Sequence, residues 1–386
     1  MNKTKEKKVL ILASVASMIA QFNIPNIQLL QEMGYKVHVA CNFKEGNTCD
    51  ANDIKKLEEM LQKMNVKYHA FDCPRNIYHV RKCLKAYRQL WELIGRQHFA
   101  WIHCHSPAGG ALARVAAHFR KIPVIYTAHG FHFYRGAPWK NWLLYYSAEA
   151  LLAYWTDVLI TVNQEDYKFA KNHLKAGKIY DIPGVGVDTS WFAQQQVCSR
   201  EEFCRKYQIP KEAFVLLSVG ELSIRKNHLF VLDALAALRR KDVYYMICGQ
   251  GPMKEKLRHR AKRLGVWEQV RMTGFQENVI EMYRNADVFV FPSMQEGMPV
   301  ALIEAMAAGM PCAASNIRGN KELLADQQLF SLKQPKQLCQ LLTALLDHRQ
   351  LREDCKKYNQ EKVRGYNLTV VQIRMKKIYR NMERDW

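Results

Sequence analysis

The chain has 386 residues, 48% of them hydrophobic and 24% charged, a balance that excludes a disordered, collagen-like or multiply membrane-spanning protein. Its 57 Lys and Arg against 36 Asp and Glu leave a net charge of +21 at pH 7, an excess suited to anions such as phosphorylated small molecules or an acidic bilayer surface. Eleven cysteines without framework spacing exclude a disulfide-stapled scaffold and fit a reducing compartment.

Lys7 and Lys8 precede an apolar run over residues 9–20 that imitates a secretory leader. It is too short to cross a bilayer as a helix and is read as a buried strand followed by a loop. Short apolar or β-branched runs follow at 37–41, 100–104, 124–127 and 158–161, most of them separated by helical patterns such as 24–33 and 84–94. That is the βαβ rhythm of a parallel sheet covered on both faces. Residues 43–68 read as loop and surface helix. Turn chemistry at Pro183, Gly184, Gly186 and Asp188, then a polar run over 193–200, mark a boundary, so a first domain is expected over 1–190.

A second series, expected over 191–366, has strands at 214–219, 244–248, 270–273, 288–291 and 312–314, with helices at 227–239, 253–264, 279–285 and 300–308. The last segment, 368–382, spaces apolar residues helically among Arg and Lys, as a surface, domain-bridging or membrane-facing helix. The expected fold class is α/β, with two doubly wound, Rossmann-like parallel-sheet domains whose ligands lie beyond the carboxyl ends of the strands, in an interdomain cleft.

Three stretches carry candidate chemistry. Gly220 to His228 follows a strand and opens a helix, with Arg225 and Lys226 at the helix start. A helix dipole disfavours cations there, so the stretch is either a solvated basic turn or an anion site. Ser293 to Ala305 places Glu296 in a loop and Glu304 on an otherwise apolar helix. Glu296 is a dipole partner or a ligand. Glu304 is costly to bury without hydrogen-bond donors, and a ribose diol supplies two. Tyr126 to Tyr134 contains His129, a loop-stabilising imidazole or a group beside developing charge. With His103 and His105 it raises a metal alternative, which the lack of H-E-x-x-H, D-x-D or a close cysteine pair disfavours. Gly249 and Gly251 permit close backbone approach. No G-x-G-x-x-G follows the first strand, and no nucleic-acid-binding signature is present.

In order and spacing these stretches, together with His105 to Gly110 and Pro183 to Asp188, resemble the retaining family 4 glycosyltransferases of GT-B fold that build bacterial capsular, exopolysaccharide or lipopolysaccharide units. The resemblance covers roughly residues 8–380 and implies a hexosyl- or N-acetylhexosaminyltransferase. It would use a nucleotide-diphosphate sugar, UDP favoured, and a polyprenyl-diphosphate-linked saccharide acceptor, without metal or other cofactor. It implies that Lys226 and Arg225 hold the diphosphate, Glu304 the ribose and Glu296 the sugar hydroxyls. Amides of Gly297, Met298, Pro299 and Val300 hold phosphate and sugar, while Gly220, Gly249 and Gly251 border the nucleotide. His129, near the anomeric carbon, completes a catalytic set with Glu296 and Lys226. Ser17, His105, Gly109, Gly110, Phe131 and His132 fall on the acceptor side.

A C-terminal helix, about 367–386, is implied to return to the first domain. Other implied partners are an anionic membrane surface and polysaccharide-assembly proteins, in a cytoplasmic location peripheral to the inner face of the plasma membrane. Residues 131–146, with Trp139, Lys140, Trp142, Tyr145 and Tyr146, are membrane contacts or an ordinary amphipathic helix. Two departures are Glu221, where many relatives carry arginine, and Ala16-Ser17-Met18, where many carry two glycines. The alternatives are a non-hydrolysing nucleotide-sugar epimerase and a non-catalytic nucleotide-sugar-binding assembly subunit.

Overall fold

The computed structural model describes residues 7–46, 51–74, 78–276 and 278–385. The chain divides into two compact units, one made of Met1–Val185 with Val371–Trp386, the other of Gly186–Val370.

The first unit is built on seven strands, β1 (Lys8–Val15), β2 (Lys36–Asn42), β3 (Lys67–Ala70), β4 (Trp101–His105), β5 (Val124–Ala128), β6 (Val158–Thr161) and β7 (Lys178–Asp181). All pair in parallel, in the order β3-β2-β1-β4-β5-β6-β7. Strands β4 and β5 are buried along their whole length, as helices on both faces require. The register sets Ile11 opposite His103 and His105 opposite Thr127, which fixes the ends of β4 and β5 side by side.

Two expectations are corrected here. The apolar run 9–20 is a strand followed directly by the helix Ala16–Phe22, with no loop between, since Ala16, Ser17 and Ile19 continue the buried surface. Strand β3 begins inside the stretch expected to be loop and helix, and β7 was not anticipated. Both are edge strands with little or no buried surface, so neither needs the apolar signature of a central strand. The C-terminal helix Leu368–Asp385 buries Val371, Met375, Ile378, Tyr379 and Met382, a helical stripe, and Tyr379 stacks on Trp101 with centroids 5.3 Å apart.

The second unit carries β8 (Phe214–Val219), β9 (Val243–Cys248), β10 (Val270–Gly274), β11 (Val288–Phe291), β12 (Cys312–Ser315) and β13 (Leu329–Phe330), parallel in the order β10-β9-β8-β11-β12-β13. Strand β13 has two residues, too few to leave a sequence pattern. In each sheet the order reverses at one place, between β1 and β4 and between β8 and β11. In doubly wound sheets ligands lie at such a reversal, beyond the carboxyl ends of the strands.

Candidate active site

In the second unit the chain leaves β8 at Gly220, whose φ of 147° lies in the region that side chains rarely adopt. The loop after β9 meets it backbone to backbone: a Cβ on Gly249 would lie 1.9 Å from the Gly220 carbonyl oxygen, and one on Gly251 2.5 Å from that of Leu222. These glycines therefore set the shape of the loop that carries Arg225 and Lys226. The loop after β11 carries Ser293 and Glu296. Across the β8/β11 reversal, Lys226 Nζ stands 2.7 Å from Glu296 Oε1, an oxygen that also accepts from Arg225 Nη1 and Ser293 Oγ, each at 2.7 Å.

The pair is sheltered, with side-chain exposures of 13% for Lys226 and 10% for Glu296, whereas Arg225 is 45% exposed. The ammonium also lies 4.6 Å from the Phe291 ring centroid. Burial opposes ionisation of Glu296, but Lys226 and Arg225 outweigh it and hold the carboxyl below the usual range. The backbone is braced from the β12 side, where Arg318 Nε donates to the Glu296 carbonyl at 3.2 Å. A Cβ on Gly319 would lie 2.6 Å from the Gly297 carbonyl oxygen.

Glu304 stands on the helix Val300–Ala307, among buried Leu302, Ile303, Ala305 and Met306. Its Oε2 accepts from the Tyr283 hydroxyl at 2.9 Å, and burial pushes its pKa up to about 7. A carboxylate in such surroundings gains from further hydroxyl donors. Met298 and Val300 pack part-buried on the hydrophobic core of this unit. One expectation is corrected: Pro299 caps the helix with extended backbone and, as an imide, has no N–H to give a phosphate.

In the first unit, His129 directly follows β5 and its Nε2 is 3.0 Å from Nδ1 of His105, the last residue of β4. His103, two residues earlier, bonds through Nε2 to the Thr127 hydroxyl at 2.8 Å and through Nδ1 to the Tyr379 hydroxyl at 3.0 Å. Burial lowers the pKa of His129 to about 4, and that of His105 further below its ordinary value. Among the described residues no group of three or more His, Cys, Asp or Glu side chains could hold a metal ion.

Three of the residues expected on the acceptor side are packed within the first unit. Gly109 is packed against Ser14 and its N–H donates to the Ser14 hydroxyl at 2.9 Å. A Cβ on Gly110 would lie 2.6 Å from the Tyr126 ring. Phe131 is a core residue stacked on Phe133 at 4.7 Å. Ser17 is also buried, while His132 is half-buried and stacks on Tyr145 at 4.6 Å.

Sequence reasoning gave no role to Arg318, Tyr283 or Tyr379. Arg318 had a readable signal, an Arg-Gly pair just beyond an apolar run that ends in the sheet. Tyr283 and Tyr379 had none, because a tyrosine on an apolar stripe reads as core until its hydroxyl finds a partner.

Residues 27–191 match the family profile "Glycosyltransferase Family 4", and residues 199–362 match "Glycosyl transferases group 1". The EpsD protein of Bacillus subtilis, named as a glycosyltransferase, is 36% identical over 328 residues, 83% of this chain and 81% of that protein. The UDP-Gal:alpha-D-GlcNAc-diphosphoundecaprenol alpha-1,3-galactosyltransferase of Escherichia coli is 28% identical over 78% of this chain and 80% of its own length. Among solved structures, Anabaena HepE in complex with UDP and glucose superposes with a TM-score of 0.78 at 16% identity, covering 97% of this chain and 100% of that one. With sequence matches across both units and a GT-B architecture, the chain belongs to the family 4 glycosyltransferases.

Proposed function

We propose that the chain transfers a hexose or N-acetylhexosamine, with retention of configuration, from a UDP-sugar to a saccharide carried on a polyprenyl diphosphate in surface-polysaccharide synthesis. The observation that carries the donor half is the Lys226–Glu296 pair spanning the β8/β11 reversal, with Arg225 beside it and Glu304 on the next helix. The acceptor half rests on the likeness to the Escherichia coli galactosyltransferase, whose printed acceptor is a diphosphoundecaprenol-linked sugar.

Cleaving the bond between sugar and diphosphate builds negative charge on the leaving phosphate. Lys226 and Arg225 meet that charge where it forms, and the N–H groups of Gly297, Met298 and Val300 add oriented dipoles, so no metal is assigned. Glu304 takes the ribose hydroxyls. Glu296, already accepting from three donors, is suited to fixing sugar hydroxyls and not to attack on carbon. The acceptor hydroxyl attacks from the face the diphosphate leaves: its oxygen bonds to the sugar carbon as the bond to UDP breaks, and its proton passes to the departing phosphate oxygen. His129, neutral because buried, is assigned by family resemblance to orient the sugar at the reacting carbon.

No helix among the described residues is long and apolar enough to cross a membrane. Peripheral contact with an anionic inner-membrane surface is assigned to Trp139 and Leu143, 69% and 66% exposed, next to the exposed Lys140. Each basic residue near such a surface contributes at most about 1 kcal/mol. Salt-sensitive binding to anionic vesicles should weaken in the Trp139→Ala, Lys140→Ala variant, and unchanged binding refutes this patch.

The decisive experiment is thermal-shift screening against UDP-, GDP- and ADP-sugars. A UDP-sugar should raise Tm, and the rise should vanish in Lys226→Ala and Glu304→Ala. Transfer to a lipid-linked saccharide should then give a product with the donor's anomeric configuration, and inversion refutes the proposed stereochemistry.

A further inference from the structure

We propose that His105 is a positioning residue for His129: it donates its Nδ1–H to His129 Nε2, so that His129 carries its own proton on Nδ1 as the donor left for a ligand. The functional meaning of this bond rests on the role given to His129 above; the bond itself does not.

The two rings come from the ends of neighbouring strands, β4 and β5, with Nδ1 to Nε2 at 3.0 Å and centroids 5.3 Å apart. His105 is 2% exposed and lies against the His103 ring at 4.2 Å. His103 is fully buried and has both nitrogens on hydroxyls, those of Thr127 and Tyr379, each able to donate or accept. It is therefore satisfied in either tautomer and serves as a wall. Tyr379 in turn is stacked on Trp101, which anchors this wall to the C-terminal helix. Ser106, directly after His105, holds a φ of 66° that a non-glycine residue adopts only under constraint, and its hydroxyl donates to the His105 carbonyl. Backbone and ring of His105 are thus fixed from several sides.

The tautomer follows from the nitrogen left over. His105 Nε2 is buried and has no hydrogen-bond partner. Burial keeps both rings neutral, so each carries one proton. If His129 were the donor, His105 would have to hold its proton on Nε2, a buried N–H with no acceptor. Buried N–H groups without partners are rarer than acceptors left short of one. With His105 as donor, its Nε2 is a bare lone pair, and the second nitrogen of His129 is an N–H suited to an oxygen of the substrate. A ring held this way cannot flip to offer a lone pair instead without breaking the bond.

Two variants test this. His105→Phe keeps ring volume and removes the donor; His105→Asn sets an amide N–H near the place of Nδ1. Imidazole nitrogen NMR reads the His129 tautomer without substrate, its signals identified by their loss in His129→Gln. The wild type should show His129 protonated on Nδ1, His105→Asn should keep that state, and His105→Phe should give a mixture. A wild-type His129 protonated on Nε2, or an unaltered tautomer in His105→Phe, overturns the proposal.

In turnover of the UDP-sugar that stabilises the protein, His105→Phe should lower kcat by about tenfold or more with donor KM little changed, and His105→Asn should recover most of it. Equal loss in both variants assigns His105 to packing alone and overturns the positioning role. Wild-type turnover in His129→Ala refutes the role of His129 instead, and leaves the NMR result to judge the bond.

Discussion

The two sheets reverse strand order in the same way, yet the two reversals are filled by different chemistry. At β1/β4 the contact is between neutral groups: the Ser14 and Ser106 hydroxyls lie 2.7 Å apart, and Gly109 closes against Ser14. At β8/β11 the contact is charged, with Lys226 and Arg225 on one carboxylate oxygen. Topology supplies an edge where loops diverge, and the residue types decide whether that edge is a packed seam or an anion site. A neutral seam needs only its own partners. The cluster of Lys226, Arg225 and Glu296 is where the diphosphate is assigned above.

The largest effect that would break the comparison is at Lys226. Lys226→Ala should lower turnover by about a hundredfold, as loss of one group aimed at developing charge does elsewhere. Its far-ultraviolet spectrum and Tm should stay near wild type. Turnover by UDP release is the measurement, and wild-type rates would reduce the charged pair to a structural contact. The seam in the first unit predicts the opposite pattern. In Gly110→Ala the new methyl meets the Tyr126 ring, which cannot yield because Arg114 stacks on it at 3.9 Å and Glu149 accepts from its hydroxyl at 3.2 Å. Denaturant unfolding should show a loss of about 1–3 kcal/mol with donor affinity unchanged.

Much of this was legible from residue order. Central strands announced themselves as apolar runs, and the charged cluster at β8/β11 as basic residues at a strand-to-helix corner. Gly109 and Gly110 stand in the first turn of the helix Pro107–Arg120, where a glycine pair looks the same in sequence whether it admits a ligand or a neighbouring side chain. Pro299 was grouped with its neighbours as an amide donor although proline chemistry alone excludes it. The pairing of Lys226 with Glu296, seventy residues apart, exists only once the sheet order is known. The same holds for His105 with His129 and for Glu304 with Tyr283.

Glu304 sharpens the comparison through pH. Its folded pKa near 7 lies above the ordinary 4.5, so between these values the folded state binds more protons than the unfolded one. Stability contributed by the neutral carboxyl is therefore complete at low pH and is lost as pH rises from about 4.5 through about 7. With Glu304 on the ribose, as proposed, nucleotide binding runs the other way, because an ionised carboxylate accepts from hydroxyls more strongly than a neutral carboxyl. Affinity for UDP should increase from pH 6 to pH 8, and Glu304→Gln should flatten both dependences and weaken UDP about tenfold. Calorimetric titration across that range is the check, and an unchanged pH slope in Glu304→Gln would remove this carboxyl from the nucleotide site.

The smallest effect belongs to Ser106. Its hydroxyl donates to the His105 carbonyl, lies 2.7 Å from the Ser14 hydroxyl and accepts from the Ser14 N–H at 3.1 Å. Ser106→Ala removes these bonds and leaves the Ser14 N–H short of a partner, but every group involved is neutral and none is aimed at a reacting atom. The expected cost is about 1 kcal/mol in denaturant unfolding. UDP affinity should be unchanged, because the nucleotide is assigned to the other reversal. A fall in UDP affinity as large as that in Glu304→Gln would mean that the neutral seam also grips the nucleotide, and the division of labour between the two reversals would be wrong.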